Sequence, residues 1–565
     1  MEARISQPGS RHNARGNGLQ QLDAVIVGAG FAGLRALYRL RDMGQRVVVL
    51  EAADDIGGVW HHNAYPGARC DVESYDYSYS FSPELEQEWV WSERYATQPE
   101  ILRYIHHVAE RFDLRKDVVC KTRMTQARYD AAAARWTITA GDGRQWSARF
   151  LLMCVGQLST TKQPDFAGQT EFAGEIIHSG QWPKHRIDFA GKRVAIIGTG
   201  SSGMQMTPII ARQAGHLTVF QRTANFSIPA ANAPITPQED MQVKASYRER
   251  RRQASESPTG LGFVPNKQSA LEASPQEREA VYEAAWHRLG YGFALAYFDI
   301  LLSKPANDTA AEFVRRKIAS VIDDPALREK LVPQGHAFAA RRPSVDSGYF
   351  ETFNRSNVEL ADVRAFPIVA FTREGIRTQE KQRAFDIIIF ATGFDAFTGS
   401  LLKPDIIGRN GLTLREKWSA GPVTQFGVSV AGFPNLLIVA GPGSPSLLSN
   451  VMLSIEEQID WFAALIGKMA QDGMAECEAL PEAEQAWLTQ VNERAKETLY
   501  YTTDSYYNGA EVAGKPRVFM AYTGGVRGYR RILQRCAAAD YAGFALRAVP
   551  AGTRADNRNE STAQS

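Results

Sequence analysis

Two glycine triplets, Gly28-Gly30-Gly33 and Gly198-Gly200-Gly203, have the G-x-G-x-x-G spacing that lets a phosphate approach backbone N–H groups. Each stands where a run of β-branched residues ends and a helical pattern begins: DAVIVGAGFAGLRALYRL from Asp23, and KRVAIIGTGSSGMQMTPII from Lys192. In that setting the glycines permit a tight turn and set a pyrophosphate at a helix N-terminus. The ends of the strands that follow differ. Counting 23 residues on from Gly28 reaches Glu51, an acceptor placed for a ribose 2′-hydroxyl; the same count from Gly198 reaches Gln221, followed by Arg222 and Thr223. A carboxylate repels a 2′-phosphate, whereas guanidinium and hydroxyl groups bind one. The first site therefore suits the adenosine of FAD or NAD and the second that of NADP. Together they imply a flavin oxidoreductase that uses FAD and NADPH.

The elements that must hold these residues follow a strand–turn–helix–strand order, twice, which predicts parallel βαβ units. Further apolar runs at Arg149–Val155, Phe385–Ala391 and Leu436–Ala440 read as buried strands completing the two sheets. The expected fold class is α/β, with two Rossmann-like dinucleotide-binding domains and a helical insertion. The FAD-binding domain is expected over 22–155 and 391–549, the NADP-binding domain over 156–225 and 340–390, and the insertion over 226–339. Residues 1–21 and 550–565 read as solvated tails. Between Met241 and Leu331 the chain is charged and helical, and its RERRRQ run, Arg248–Gln253, reads as a solvated helix face.

With 565 residues, 44% hydrophobic, 22% charged and a net charge of +2, the chain reads as a soluble globular protein without a pull towards nucleic acid or membrane. No apolar run reaches the roughly 18 residues of a spanning helix, and the first residues lack a secretory apolar core. Its five cysteines, Cys70, Cys120, Cys154, Cys477 and Cys536, show neither a CxxC pair nor metal-ligand spacing. Such an odd, sparse set suits reduced thiols and a cytoplasmic location. Oligomeric state is not legible, and a monomer is compatible with the sequence.

The same cysteines lack the redox pair that a disulfide reductase of this two-nucleotide kind needs, which leaves dioxygen as the next candidate oxidant. Specific motifs then favour it. FAGEIIHSGQWP, Phe172–Pro183, fits F-x-G-x-x-x-H-x-x-x-W-P just ahead of the second glycine triplet. GGVWHHNAYPGARCD spans Gly57–Asp71, RRPSVDSGYFETFNRSNVEL spans Arg341–Leu360, FATGFDAFTGS spans Phe390–Ser400, and GPGSPSLLSN spans Gly441–Asn450. Across about 22–548 the chain resembles the Baeyer–Villiger monooxygenases, class B flavoproteins, and within them the phenylacetone and steroid monooxygenase branch. The alternative is an N- or S-oxygenating flavin monooxygenase, in which the position of Trp182 is usually Tyr or Phe.

The resemblance implies conversion of ketones to esters or lactones with dioxygen and NADPH, through a flavin C4a-peroxide. It implies Arg342 as the cation that stabilises the peroxyanion, with Asp71 orienting it, and a structural or coupling role for His178. It puts Val59, Trp60, His61, His62, Asp71, Tyr77, Met124 and Val451 against the FAD, with Gly28, Gly30, Gly33 and Glu51. To the NADP it assigns Arg69, Cys70, Thr199, Gly200, Ser201, Ser202, Gly203, Met204, Gln205, Arg222, Thr223, Arg341, Arg342 and Tyr506. Ser446, Leu447 and Leu448 would form a bulge beside the substrate. The insertion and the 441–450 loop suggest a roomy pocket, of a size for aryl, bulky cyclic or steroid-like ketones. One stretch departs from the pattern: SYYNGAEVAG, Ser505–Gly514, has Tyr506 for a tryptophan, Glu511 for an asparagine and Ala513 for a proline. A phenol still donates a hydrogen bond and stacks, so cofactor binding is expected to persist with altered affinity.

Overall fold

The computed structural model describes residues 19–263, 266–288 and 290–548. Most of the two predicted tails lies outside the described residues. The first strand, Gln20–Val27, begins inside the stretch read as a tail, because Gln20 and Gln21 pair in register with Trp146 and Ser147.

Two sheets carry the architecture. In the first, Gln20–Val27 lies between Val47–Leu50 and Gln145–Met153, parallel to both. Val118–Val119 extends one side; the antiparallel strands Arg135–Ala140 and Met124–Asp130 extend the other. Two late segments join this sheet: Asp405–Ile407 pairs with Met124–Asp130, and Leu436–Ile438 pairs with Gln145–Met153. The second sheet has five strands, all parallel, in the spatial order Val358–Asp362, His216–Gln221, Arg193–Ile197, Ile387–Phe390, Glu175–His178. Val47–Leu50 and Ile387–Phe390 are buried at every residue. Parallel strands covered on both faces demand such unbroken apolar runs, which is why these strands could be read from sequence.

The helix Phe31–Asp42 crosses between the first two parallel strands and buries Leu34, Ala36, Leu37 and Leu40. Against it packs the long helix Val451–Gln471, tied by a hydrogen bond of 2.7 Å from Arg35 Nη2 to Asp460. The insertion supplies the helices Pro237–Glu256, Pro275–Arg288, Lys304–Ser320 and Pro325–Leu331. The solvated face expected for Arg248–Gln253 is only partly there. Arg250 donates to both carboxylate oxygens of the buried Asp76 at 2.7 Å and to Glu73 at 2.8 Å. Arg251 reaches Glu86 and Ser78, each at 2.8 Å. Arg250 and Arg251 bolt the insertion onto the first unit, whereas Arg248, Glu249, Arg252 and Gln253 are exposed, Arg252 pairing with Glu249 on its own helix. Among the described residues no helix is long and apolar enough to cross a membrane, no His/Cys/Asp/Glu cluster could hold a metal, and all five cysteines are free thiols.

Candidate active site and dinucleotide grooves

Both glycine turns are built the same way. Gly28 has φ +100° and Gly198 φ +117°, conformations L side chains rarely adopt; an added Cβ would lie 2.6 Å from Cys154 O and 2.3 Å from Ala391 O, respectively. The helices that follow, Phe31–Asp42 and Ser201–Ala211, start at Gly30 and Gly200 with no side-chain cap and no acid in the first turn. Their N–H groups and positive dipole ends are left for an outside anion. A Cβ on Gly200 would meet nothing within 4 Å, so the approach is open. These features fit two dinucleotide pyrophosphates.

At the first groove, Glu51 is buried and accepts from the N–H groups of Ala29 and Ala53, each at 2.7 Å. Two bonds leave a carboxylate with lone pairs for a ribose hydroxyl. Val59–His62 forms a single helical turn, in which Trp60 Nε1 donates to Tyr77 Oη at 3.1 Å. His61 is drawn to Asp54 at 2.9 Å, and His62 lends its carbonyl to Trp182 N–H at 3.1 Å. Burial holds the His62 imidazole below its ordinary value. Met124 is packed in the core with Val48 and Leu50. Val451 is half-buried as the first residue of the long helix.

In the second groove, Gln221 is buried and donates to Lys330 O at 2.8 Å, whereas the Arg222 side chain is 76% exposed. Thr199 Oγ1 donates to Thr223 O at 3.0 Å, and Arg341 Nε donates to Asp504 O at 2.8 Å. Ser201 Oγ lies 3.2 Å from Ser344 Oγ. Ser202 and Gln205 both reach the Tyr65 hydroxyl, and Gln205 also donates to Arg69 O at 3.1 Å. Gly203 and Met204 are buried, the latter in the core. The Arg69 guanidinium pairs with Glu93 at 2.9 Å. Cys70 is buried in the core, and burial raises its thiol pKa well above the ordinary range, so it stays a neutral thiol.

Arg342 and Asp71 meet as a two-pronged pair. Nε donates to Oδ2 at 2.6 Å and Nη2 to Oδ1 at 2.9 Å, while Nη1 donates to Leu447 O at 2.7 Å. The 271 residues separating the partners make this an assembled site, part-buried on both sides. Leu447 sits at φ +66° on the loop that also carries Ser446 and Leu448, and its carbonyl accepts a second bond, from Tyr507 Oη at 3.2 Å. Tyr506 joins by donating to Tyr507 Oη at 3.2 Å, with ring centroids 4.4 Å apart. Sequence reasoning missed Tyr507; only its adjacency to Tyr506 hinted at it.

The histidine of the Phe172–Pro183 motif faces inward. His178 Nδ1 accepts from Gly180 N–H at 3.0 Å, which leaves the ring proton on Nε2, 3.2 Å from Lys162 O. Burial holds this imidazole below its ordinary value, so it is neutral. The side chain of Lys162, also missed from sequence, donates to Glu511 O at 3.0 Å.

Two glycine turns at parallel strand ends, together with an arginine anchored by a carboxylate and a loop carbonyl, define a two-dinucleotide flavoprotein oxidoreductase. Residues 22–244 match the family described as flavin-binding monooxygenase-like. A Baeyer–Villiger monooxygenase of Pseudooceanicola batsensis is 42% identical over 519 residues, covering 90% of this chain and 94% of that one. A cyclohexanone 1,2-monooxygenase of an Acinetobacter species is 37% identical, covering 92% and 96%. The solved structure of an oxidized steroid monooxygenase bound to NADP superposes with TM-score 0.90 at 50% identity, covering 94% of this chain and all of the other. This chain belongs to the Baeyer–Villiger monooxygenases.

Proposed function

We propose that this enzyme converts ketones to esters or lactones with FAD, NADPH and dioxygen, and that the Arg342–Asp71 pair is its chemical centre. The pair itself carries the reading: a permanently charged guanidinium, part-buried, gripped by both oxygens of one carboxylate and by a loop carbonyl. When bound and reduced, the flavin supplies the activation of dioxygen.

Arg342 provides a fixed positive charge for the negative oxygen that attacks the ketone carbonyl. Arginine keeps that charge in a poorly hydrated site where lysine can lose it. Asp71 fixes the plane of the fork, and Leu447 O fixes its third corner, so little reorganisation is needed as charge develops. Glu51 takes the ribose of the FAD adenosine. Arg222, Thr223 and Arg341 take the 2′-phosphate of NADPH, and the start of the helix Ser201–Ala211 takes its pyrophosphate. In the division of labour we propose, the FAD-binding unit is 22–155 with 391–549, and the NADP-binding unit is 156–225 with 340–390. The late strands Asp405–Ile407 and Leu436–Ile438 in the first sheet, and Ile387–Phe390 in the second, support it.

Arg342→Ala tests the reading. NADPH should still bleach the flavin without air, while ester formation from a ketone falls by at least about 10²-fold. Wild-type ester yield from that variant would overturn the assignment. Turnover of amines or sulfides but not ketones would instead favour an N- or S-oxygenating enzyme.

A further inference from the structure

The loop Ser505–Gly514 brings a carboxylate to Arg222, one of the cations read above as the 2′-phosphate site, and to the neighbouring Lys162. Glu511 Oε2 lies 3.7 Å from Arg222 Nη2 and 3.7 Å from Lys162 Nζ. Lys162 grips the same residue a second time, donating to its backbone carbonyl at 3.0 Å. The Glu511 side chain is 26% exposed and that of Lys162 24%, whereas Arg222 is 76% exposed. The carboxylate is therefore set in behind an otherwise open guanidinium. Lys162 is itself anchored: its carbonyl accepts from His178 Nε2 at 3.2 Å and from Thr392 Oγ1 at 3.0 Å.

We propose that Glu511 is an internal competitor for the 2′-phosphate, its carboxylate engaging Arg222, a cation the phosphate would use, and so lowering the enzyme's preference for NADPH over NADH. The inference rests on the reading of Arg222 as a phosphate-binding residue. Two anions cannot share this cation without repelling one another. A bound 2′-phosphate must either displace Glu511, undoing its contact with Lys162, or tolerate a negative neighbour. A dinucleotide that lacks the phosphate faces neither cost. Specificity is a difference of two affinities, and a charge that penalises only one ligand shifts it. The Lys162 tie adds a conformational consequence: displacing the carboxylate releases one of the contacts that hold the loop carrying Tyr506 and Tyr507.

The test is equilibrium binding to the FAD-loaded enzyme by calorimetry, with adenosine 2′,5′-bisphosphate and 5′-AMP as probes, at several salt concentrations. Glu511→Gln keeps the shape of the side chain and removes its charge. It should tighten the bisphosphate by about threefold to tenfold, as expected for a partly exposed charge pair, and leave 5′-AMP unchanged. The salt dependence of bisphosphate binding should steepen, because the net positive charge facing the phosphate rises. A role in loop folding alone would move both probes together and leave the salt slope unchanged. Arg222→Ala, run alongside, should weaken the bisphosphate far more than 5′-AMP. If it does so while Glu511→Gln leaves the ratio of the two affinities unchanged or lowers it, the proposal falls and the site reading stands. If Arg222→Ala weakens both probes equally, the site reading falls and takes the proposal with it.

Discussion

His178 shows how a residue of the Phe172–Pro183 motif can matter without touching a reactant. Its ring is buried and neutral, with one nitrogen accepting from Gly180 N–H and the other directed at Lys162 O. Lys162 in turn reaches the loop that carries Glu511. A histidine whose folded value is lowered binds protons more weakly folded than unfolded. Its stabilising contribution is therefore fully present above its ordinary value of 6.5 and is lost as pH falls below 6.5 towards the lowered folded value. His178→Gln, which cannot protonate, should shrink the drop in melting temperature between pH 7.5 and 5.5. An undiminished acid-side drop would show that other groups carry it. Arg342 illustrates the opposite case, a residue whose charge is permanent and whose orientation is what neighbours supply. That Asp71 and Leu447 both grip it could not be read from spacing, because the partners lie 271 and 105 residues away.

Among the elements, the βαβ units were legible because burial on both faces forces continuous β-branched runs, and because Gly28 and Gly198 occupy backbone conformations and close contacts that a side chain disrupts. The helix Pro237–Glu256 is legible as a helix, and the solvated face expected along its arginine run holds for Arg248, Glu249, Arg252 and Gln253 but not for Arg250 and Arg251. The signal was misleading because a charge run announces its solvation only when its partners are local. Arg252 has such a partner in Glu249, whereas Asp76 is 174 residues from Arg250. Removing Arg250 strands Asp76, whose side chain is 2% exposed, beside Glu73. Arg250→Met should cost roughly 2–3 kcal/mol in urea unfolding, since the survivors of a broken part-buried pair keep their desolvation penalty. Arg252→Met, at a side chain 64% exposed, should leave the urea midpoint essentially unchanged. Equal losses would mean that the insertion is held by its apolar contacts and not by these ion pairs.

At the scale of the molecule, a small set of polar ties joins the parts that reduction and oxygenation would use. Trp182 N–H bonds His62 O, Arg342 bonds Asp71, and Lys162 and Arg222 face Glu511. The first two bring the Phe172–Pro183 segment and the segment after the insertion onto the Gly57–Asp71 stretch; the third brings the C-terminal loop onto the second sheet's unit. Such a layout suits an enzyme that must keep a nicotinamide, a flavin and a ketone in one place through successive steps. Sequence alone supplied the residues at each end of these ties and the resemblance that gives them roles, but not Lys162 or Tyr507, which carry no motif. A Baeyer–Villiger reaction inserts one atom of dioxygen beside a ketone carbonyl. Incubating the FAD-loaded enzyme with NADPH, a cyclic ketone and ¹⁸O₂, and reading the product by mass spectrometry, measures that directly. The product should be a lactone carrying a single ¹⁸O in its ring. Recovery of unlabelled ketone with hydrogen peroxide as the sole oxygen product, or of a ketone hydroxylated on carbon, would contradict it.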